Sequence, residues 1–366
     1  MDAREFDRQW MLRALELAEN GRGFVEPNPL VGAVLIDATG EFLAEGWHQR
    51  FGGPHAEIEA FRQAGQRTAG GTLYVTLEPC CHVGKTPPCT DAIIAAGIAR
   101  VVMAMPDPFP KVAGHGKLQL EEAGIRVEVG LCQQAAERLN APYLKRIRTG
   151  LPWVIAKWAM TLDGKIATAT GESQWISGSA SRERVHRLRG QVDAVVVGAK
   201  TVWHDDPLLT ARPPGPRRPT RVVFSRTGRL PESCQLRTTA RHDAVLVFVE
   251  AGQETHLAGW ATDGAEIVPL DAHDSSSFLD QALAELGRRT MTNILVEGGA
   301  GILGAFHDRD AIDELWLFLA PRTVGGQAPS PIAGAGVARL ADALTWEDWT
   351  VEQVPPDLLL RTRRRR

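Results

Sequence analysis

Four residues in the first quarter of the chain have types and spacing that suit a metal centre. His55-Ala56-Glu57 is followed by Pro79-Cys80 and then by Cys89. One imidazole and two thiolates form a donor set matched to zinc. Three protein ligands leave the fourth position to water, and the metal lowers the pKa of that water so that hydroxide forms near neutral pH. A carboxylate outside the donor set must then move protons, and Glu57 fits that role. His-x-Glu followed by Pro-Cys and a later Cys is the general signature of hydrolytic deamination at zinc. The expected chemistry is displacement of an amino group from a nitrogen heterocycle. A closed structural zinc site is the other outcome; Cys81 or His82 would complete it, and Glu57 would have no role.

These residues need elements to hold them. A helix is expected over 55–64, starting behind Pro54, and another over 90–96, starting behind Pro87-Pro88. A helix N-terminus favours thiolate over thiol at Cys89. Residues two apart point to different faces inside a helix, so His55 and Glu57 share a site only if the first turn faces it. Apolar runs predict strands at 31–36, 72–77, 100–105 and 125–129, and the strand–helix alternation implies a layered α/β domain. Within 1–20, Trp10, Met11, Ala14, Leu17 and Ala18 recur at helical spacing.

The basic segment 145–152 (KRIRTGLP) reads as a linker or the start of a new domain. Beyond it, strands are expected at 153–159, 192–197, 221–224, 245–249, 293–296 and 313–319. Helices are expected at 180–189 and 278–286, with a Pro-rich loop at 212–219. No repeat relates the halves. We expect two domains, 1–147 and 151–366. The strand at 293–296 runs directly into Glu297-Gly298-Gly299-Ala300-Gly301. Such a turn lets backbone N–H groups approach a phosphate at a helix N-terminus. It is not a full G-x-G-x-x-G, and an ordinary strand–turn–helix gives the same pattern.

The 366 residues are 44% hydrophobic and 23% charged with a net charge of −3, which fits a globular protein and gives no general attraction to nucleic acid. The basic stretch 361–366 reads as a solvated terminus, with a phosphate-binding arm as the alternative. Five cysteines cannot all pair, and a reducing cytoplasm is the expected setting. The N-terminal stretch lacks the apolar core of a signal peptide, and no run is long enough to span a membrane.

Pro27-Asn28-Pro29-Leu30-Val31-Gly32, His55-Ala56-Glu57 and 76–89 (TLEPCCHVGKTPPC) together resemble the bifunctional riboflavin-biosynthesis deaminase–reductase family. So does 158–176 (WAMTLDGKIATATGESQWI). The resemblance implies a cytidine-deaminase-like α/β/α sandwich followed by a dihydrofolate-reductase-like α/β domain. It implies zinc-dependent deamination of 2,5-diamino-6-ribosylamino-4(3H)-pyrimidinone 5′-phosphate, then NADPH-dependent reduction of the product's ribosyl group to ribityl. By position, His55, Cys80 and Cys89 would hold zinc, Glu57 would shuttle protons, and Asn28, His48, His82, Lys85 and Asp107 would line the pyrimidine site. Ala159, Trp175, Thr201, Asp205, Ser225, Gly299, Ala300 and Gly301 would lie near NADPH. Ser173, Arg189, Leu209, Arg212 and Glu297 would lie near the sugar phosphate. Lys157 is either a substrate contact or an edge-strand charge, and Asp163 is either structural or catalytic. Phe109 and Phe224 depart from the family's common Asn and acidic residue. Relatives suggest a dimer or tetramer. The rival readings are a nucleic-acid-editing deaminase with an accessory domain and a structural zinc protein with a binding module.

Overall fold

The run Gly32–Ile36 is buried along its whole length, so its strand must be covered on both faces. The structure, a computed structural model, describes residues 2–83 and 87–365. Contacts divide the chain into two compact units, Met1–Thr149 and Gly150–Arg366.

The first unit runs α1 (Ala3–Glu19), β1 (Gly32–Ile36), β2 (Phe42–Trp47), α2 (Ala56–Ala64), β3 (Thr72–Val75), α3 (Cys89–Ala95), β4 (Arg100–Met103), α4 (His115–Glu122), β5 (Arg126–Val129), α5 (Gln133–Leu139) and α6 (Ala141–Thr149). Its sheet has the order β2-β1-β3-β4-β5. β1 pairs antiparallel with β2 and β3, and β3, β4 and β5 are parallel. Strand side chains alternate between the faces. Val34, Ile36, Tyr74 and Val102 pack with α1, α5 and α6. Ala33, Leu35, Leu73, Val75, Val101 and Met103 pack with α2, α3 and α4. The result is an α/β/α sandwich. Strands β3 and β4 stop two residues short of the apolar runs 72–77 and 100–105, and the leftover residues lead towards the site.

The second unit runs β6 (Trp153–Thr161), α7 (Ser179–Arg189), β7 (Ala194–Gly198), α8 (Ala199–Asp205), β8 (Thr220–Phe224), α9 (Gln235–Thr238), β9 (Val245–Glu250), α10 (Ala258–Thr262), β10 (Glu266–Leu270), α11 (Ser275–Arg288), β11 (Asn293–Glu297), α12 (Ala300–Asp308), β12 (Glu314–Ala320), β13 (Trp346–Val354) and β14 (Asp357–Arg364). Its sheet has the order β10-β9-β8-β7-β11-β6-β12-β14-β13. It is parallel from β10 to β12, and β14 and β13 close it as an antiparallel hairpin. One face carries α11 and α12, the other α7 to α10.

Two expectations need correction. The basic segment 145–152 is not a linker through its length: α6 continues to Thr149 and the second unit begins at Gly150, while Tyr143 and Leu144 are buried, Lys145 and Arg146 are half-buried with Arg146 donating to the Pro27 carbonyl, and Arg148 is exposed. The basic stretch from Arg361 is not a solvated tail. It belongs to β14, where Arg361 lies over the Trp316 ring, Arg363 over the Trp153 ring, and Arg364 pairs with Asp310. Arginine stems and guanidinium planes cover aromatic surface well, so a basic strand can be an interior member of a sheet.

Candidate active sites

His55 is the N-cap residue of α2, in extended backbone with φ −75° and ψ 166°. It stands outside the helical period, which is why Glu57, in the first turn, can serve the same site. Cys89 opens α3 behind the N-cap Pro88, and its backbone N–H donates to Cys80 Sγ at 3.4 Å. His55 Nδ1 lies 3.2 Å from Cys89 Sγ and 3.4 Å from Cys80 Sγ, and the three donor atoms lie within 4.8 Å of one another. Ligands of a tetrahedral zinc stand roughly 3.5 Å apart, given bonds of about 2.0–2.3 Å, so the donors fit that ion. Among the described residues the cluster has three members. Cys81 is directed elsewhere, its thiol donating to the Lys111 carbonyl at 3.6 Å.

Electrostatics favour thiolate at Cys80 and a raised carboxyl at Glu57, but at Cys89 the helix N-terminus does not by itself yield the expected thiolate. The Cys89 thiol donates to Cys80 and His55 stands beside it, so Cys80 is held well below the usual thiol range. The same thiol–sulfur hydrogen bond and burial push Cys89 up. Glu57 is 3% exposed, and its Oε2 is buried with no hydrogen-bond partner among the described residues. Desolvation pushes this carboxyl above the usual carboxylate range, towards the value a proton shuttle needs.

Around the cluster, Asn28 Nδ2 lies 3.3 Å from His48 Nε2, and His48 Nδ1 lies 2.9 Å from the Pro54 carbonyl oxygen. Burial lowers the His48 pKa. Asp107 is buried and accepts from Tyr143 Oη at 2.8 Å and from Phe109 N at 2.9 Å. Phe109 presents its ring to His82, centroids 5.9 Å apart, and His82 Nδ1 is buried with no partner among the described residues. Lys85 lies outside the described residues. Sequence reasoning missed Glu78. Its buried carboxylate accepts from the N–H groups of Asp107, Gly114 and Lys117 at 3.0–3.2 Å. It thereby ties the loop after β4 to the segment carrying Cys80. Gly116 completes the junction, since a Cβ there would stand 2.2 Å from the Pro79 carbonyl oxygen. A Glu directly before Pro-Cys was visible in the sequence, but its partners lie about thirty to forty residues away.

In the second unit, β8, β7, β11 and β6 are neighbours and parallel, so their carboxyl ends lie side by side. Open parallel sheets bind ligands at that edge. Ala159 lies near the end of β6, Thr201 on α8 just after β7, Ser225 just after β8, and Glu297 at the end of β11. Gly299 is the N-cap of α12, with Ala300 and Gly301 in its first turn. Cβ atoms at Gly299 and Gly301 would meet nothing within 4 Å, so an open cradle stands at this helix N-terminus. Ser225 Oγ is buried and unpartnered among the described residues. Trp175 is 61% exposed, with Arg182 stacked 4.7 Å from its ring and Arg322 donating to its carbonyl. Open backbone donors at a helix start, an orphaned hydroxyl and an exposed indole suit a dinucleotide's phosphates and planar ring.

Arg189 and Glu297 meet each other. Arg189 Nε and Nη2 donate to the two carboxylate oxygens at 2.6 and 3.0 Å, and Lys157 Nζ stands 3.9 Å from Oε2. Burial would raise the Glu297 pKa, but the Arg189 guanidinium outweighs it and the net shift is downward. Burial lowers the Lys157 pKa. Lys157 is thus an interior cation in a pair of strands, not an edge charge. Leu209 is buried in left-handed backbone (φ 58°). Arg212 and Asp205 are exposed, and Ser173 is half-buried on the loop before Trp175. Asp163 is structural: it accepts from Thr161 Oγ1 and the N–H groups of Val324 and Gly325, which holds its carboxyl at about 2. Phe224 packs against Phe248, Phe278 and Phe306, and so fills the core.

Comparison with known proteins agrees with this division. The family model "RibD C-terminal domain" matches residues 152–360, and "cytidine and deoxycytidylate deaminase zinc-binding region" matches 4–105. The riboflavin biosynthesis protein RibD of Escherichia coli (strain K12) is 40% identical, over 97% of this chain and 98% of its own length. That of Aquifex aeolicus is 37% identical, over 98% of both. The solved Acinetobacter baumannii RibD is similar with a TM-score of 0.86 at 37% identity, covering 99% of this chain and 100% of its own. A Thermotoga maritima diaminohydroxyphosphoribosylaminopyrimidine deaminase/5-amino-6-(5-phosphoribosylamino)uracil reductase gives 0.85 at 34%, covering 99% of both. With both halves matched and the likeness running nearly end to end, the chain belongs to the RibD family of riboflavin biosynthesis proteins.

Proposed function

We propose that the two units carry successive reactions, deamination in 1–147 and reduction in 151–366. The chain is a bifunctional riboflavin-biosynthesis enzyme. It deaminates 2,5-diamino-6-ribosylamino-4(3H)-pyrimidinone 5′-phosphate by hydrolysis, then reduces the ribosyl group of 5-amino-6-(5-phosphoribosylamino)uracil to ribityl. The observation that carries this reading is the three-donor cluster with a buried carboxyl beside it. A closed structural site would need a fourth ligand, and a nucleic-acid editor would need a basic groove.

Bound zinc supplies an activated water, and bound NADPH supplies the hydride. His55, Cys80 and Cys89 hold the metal. Glu57 takes one proton from the attacking water and delivers it to the ring nitrogen, then takes the second from the new hydroxyl on the ring carbon and delivers it to the departing ammonia. Asn28, His82, Lys85 and Asp107 line the pyrimidine nucleotide, and His48 supports them. In the reductase, Ala159, Trp175, Thr201, Asp205, Ser225 and the 299–301 turn hold the dinucleotide. Ser173, Leu209, Arg212 and the Arg189–Glu297 pair hold the sugar phosphate. Arg212, exposed on its loop, suits the phosphate as a bidentate donor. The buried pair is rigid and suits the sugar hydroxyls. The substrate is a small molecule; none of the described helices is long and apolar enough to cross a membrane. We place the enzyme in the cytoplasm, as a homo-oligomer.

The test is to incubate the full chain with the diaminopyrimidinone ribotide and NADPH and to follow product masses. Replacement of an amine by oxygen, followed by a gain of two hydrogens, is expected. Reduction preceding deamination, or deamination only of oligonucleotides, would overturn the reading.

A further inference from the structure

His48 is 3% exposed, and both of its ring nitrogens are engaged. Nδ1 lies 2.9 Å from the Pro54 carbonyl oxygen, and a carbonyl can only accept, so Nδ1 carries the hydrogen. Among the described residues its polar partners are this carbonyl oxygen and the Asn28 amide, so the geometry calls for one N–H, at Nδ1, and an acceptor at Nε2. Nε2 is then a bare lone pair and can only accept. Asn28, 3.3 Å away, must turn its NH2 and not its oxygen towards it. The backbone at Pro54 sets the tautomer, and the tautomer sets the amide.

We propose that His48 is a positioning residue that touches no substrate: it fixes the Asn28 amide so that Oδ1 and the remaining N–H face the pyrimidine side by side. This rests on the reading that Asn28 lines the deaminase site. The carbonyl that fixes His48 belongs to the residue before the metal ligand His55, and the two imidazoles stand edge to face with centroids 5.3 Å apart. One ring thus registers the reader of the heterocycle against the metal ligand. A fixed acceptor beside a fixed donor matches a ring edge with N–H next to C=O, which a 4(3H)-pyrimidinone has at positions 3 and 4. The reversed amide would set N–H against N–H and oxygen against oxygen.

A double-mutant cycle on the zinc-loaded full chain tests this. H48N keeps a donor for Pro54 and removes the acceptor for Asn28, whereas H48Q can restore an acceptor near Nε2. Loss of the two hydrogen bonds to substrate corresponds to about a thirtyfold rise in KM, expected for N28A and nearly matched by H48N, with kcat much less affected. N28A/H48N should be no worse than N28A, and H48Q should recover most of the loss. Losses that multiply in the double variant would mean that His48 contacts substrate itself and would overturn the proposal. An unchanged KM in N28A would instead remove Asn28 from the substrate site, and the proposal with it. Zinc content near one per chain shows that the variants retain the centre. Histidine-selective 15N spectra of the unmodified holoenzyme give an independent check: the Nδ1–H tautomer is expected at His48, and Nε2–H would refute the mechanism.

Discussion

Replacing Glu297 by Gln should destabilise the second unit strongly at neutral pH and hardly at all in acid. Glu297 is 8% exposed and faces two half-buried cations, Arg189 through a two-pronged bond and Lys157 at 3.9 Å. Glutamine keeps the shape but leaves both cations facing a neutral amide, one of whose prongs is now a donor. Breaking a buried pair from one side costs about 3–5 kcal/mol. Lys157, its pKa already lowered by burial, can shed its proton and relieve part of the strain, so the lower end applies. At about 2–4 °C per kcal/mol for a unit of this size, about 3 kcal/mol corresponds to a fall of about 6–12 °C in Tm. The pH dependence has a definite sign. The folded-state pKa of Glu297 is lowered below its unfolded value, so its contribution is complete above about 4.3 and is lost as pH falls through the folded value. Scanning calorimetry of wild type and E297Q at pH 7 and towards pH 3 should show a gap that closes in acid. A gap below about 2 °C at pH 7, or one that does not change with pH, would show that the cluster is not electrostatically coupled as argued.

E57Q should retain zinc and reductase activity while deaminase kcat falls by about 10²–10⁴-fold, as expected for loss of general acid–base catalysis; full deaminase activity would exclude Glu57 as the shuttle. G116A should press a methyl group into the Pro79 carbonyl, costing about 1–3 kcal/mol and weakening zinc binding in a chelator competition, with reductase turnover unchanged. NADPH should quench the fluorescence of the exposed Trp175, and W175F should both lose that quench and bind NADPH more weakly; identical titrations of the two proteins would place the indole away from the cofactor. Zinc removal by chelation should abolish deamination and spare reduction, measured on the same sample; a parallel loss of both would contradict two independent sites.

The metal donors were legible because their identities are the signal: no packing argument is needed to recognise His-x-Glu and Pro-Cys with a second Cys. Most parallel strands were legible because strands covered on both faces are nearly continuous apolar runs, as in Ala194–Gly198. β2 was missed because Phe42–Trp47 mixes Gly46 and Glu45 into its apolar residues, and α6 because Lys145, Arg146 and Arg148 masked Tyr143 and Leu144. What the one-dimensional reading could not supply was pairing at a distance. Arg189 and Glu297 were each assigned to substrate, yet they lie 108 residues apart and bind one another. Glu78 spoke only through backbone groups it had not yet met, and His48 only through Pro54 and Asn28. The arginines of β14 looked like solvent residues until Trp153 and Trp316 were placed beneath them.

The place of β6 in its sheet has a further consequence, for the history of the chain and not for its chemistry. β6 is the first strand of the second unit to leave the ribosome, but it lies between β11 and β12, with Trp153 opposite Asn293 and Ile155 opposite Glu314. Its apolar surface must therefore wait until about two thirds of the unit, as far as Glu297, has been synthesised before either neighbour exists. The first unit builds its parallel strands in order, each beside the one before it. Late, long-range pairing is slow and leaves strand edges open to aggregation. During synthesis the deaminase half should thus be folded early, while the reductase half is the part that needs chaperone protection.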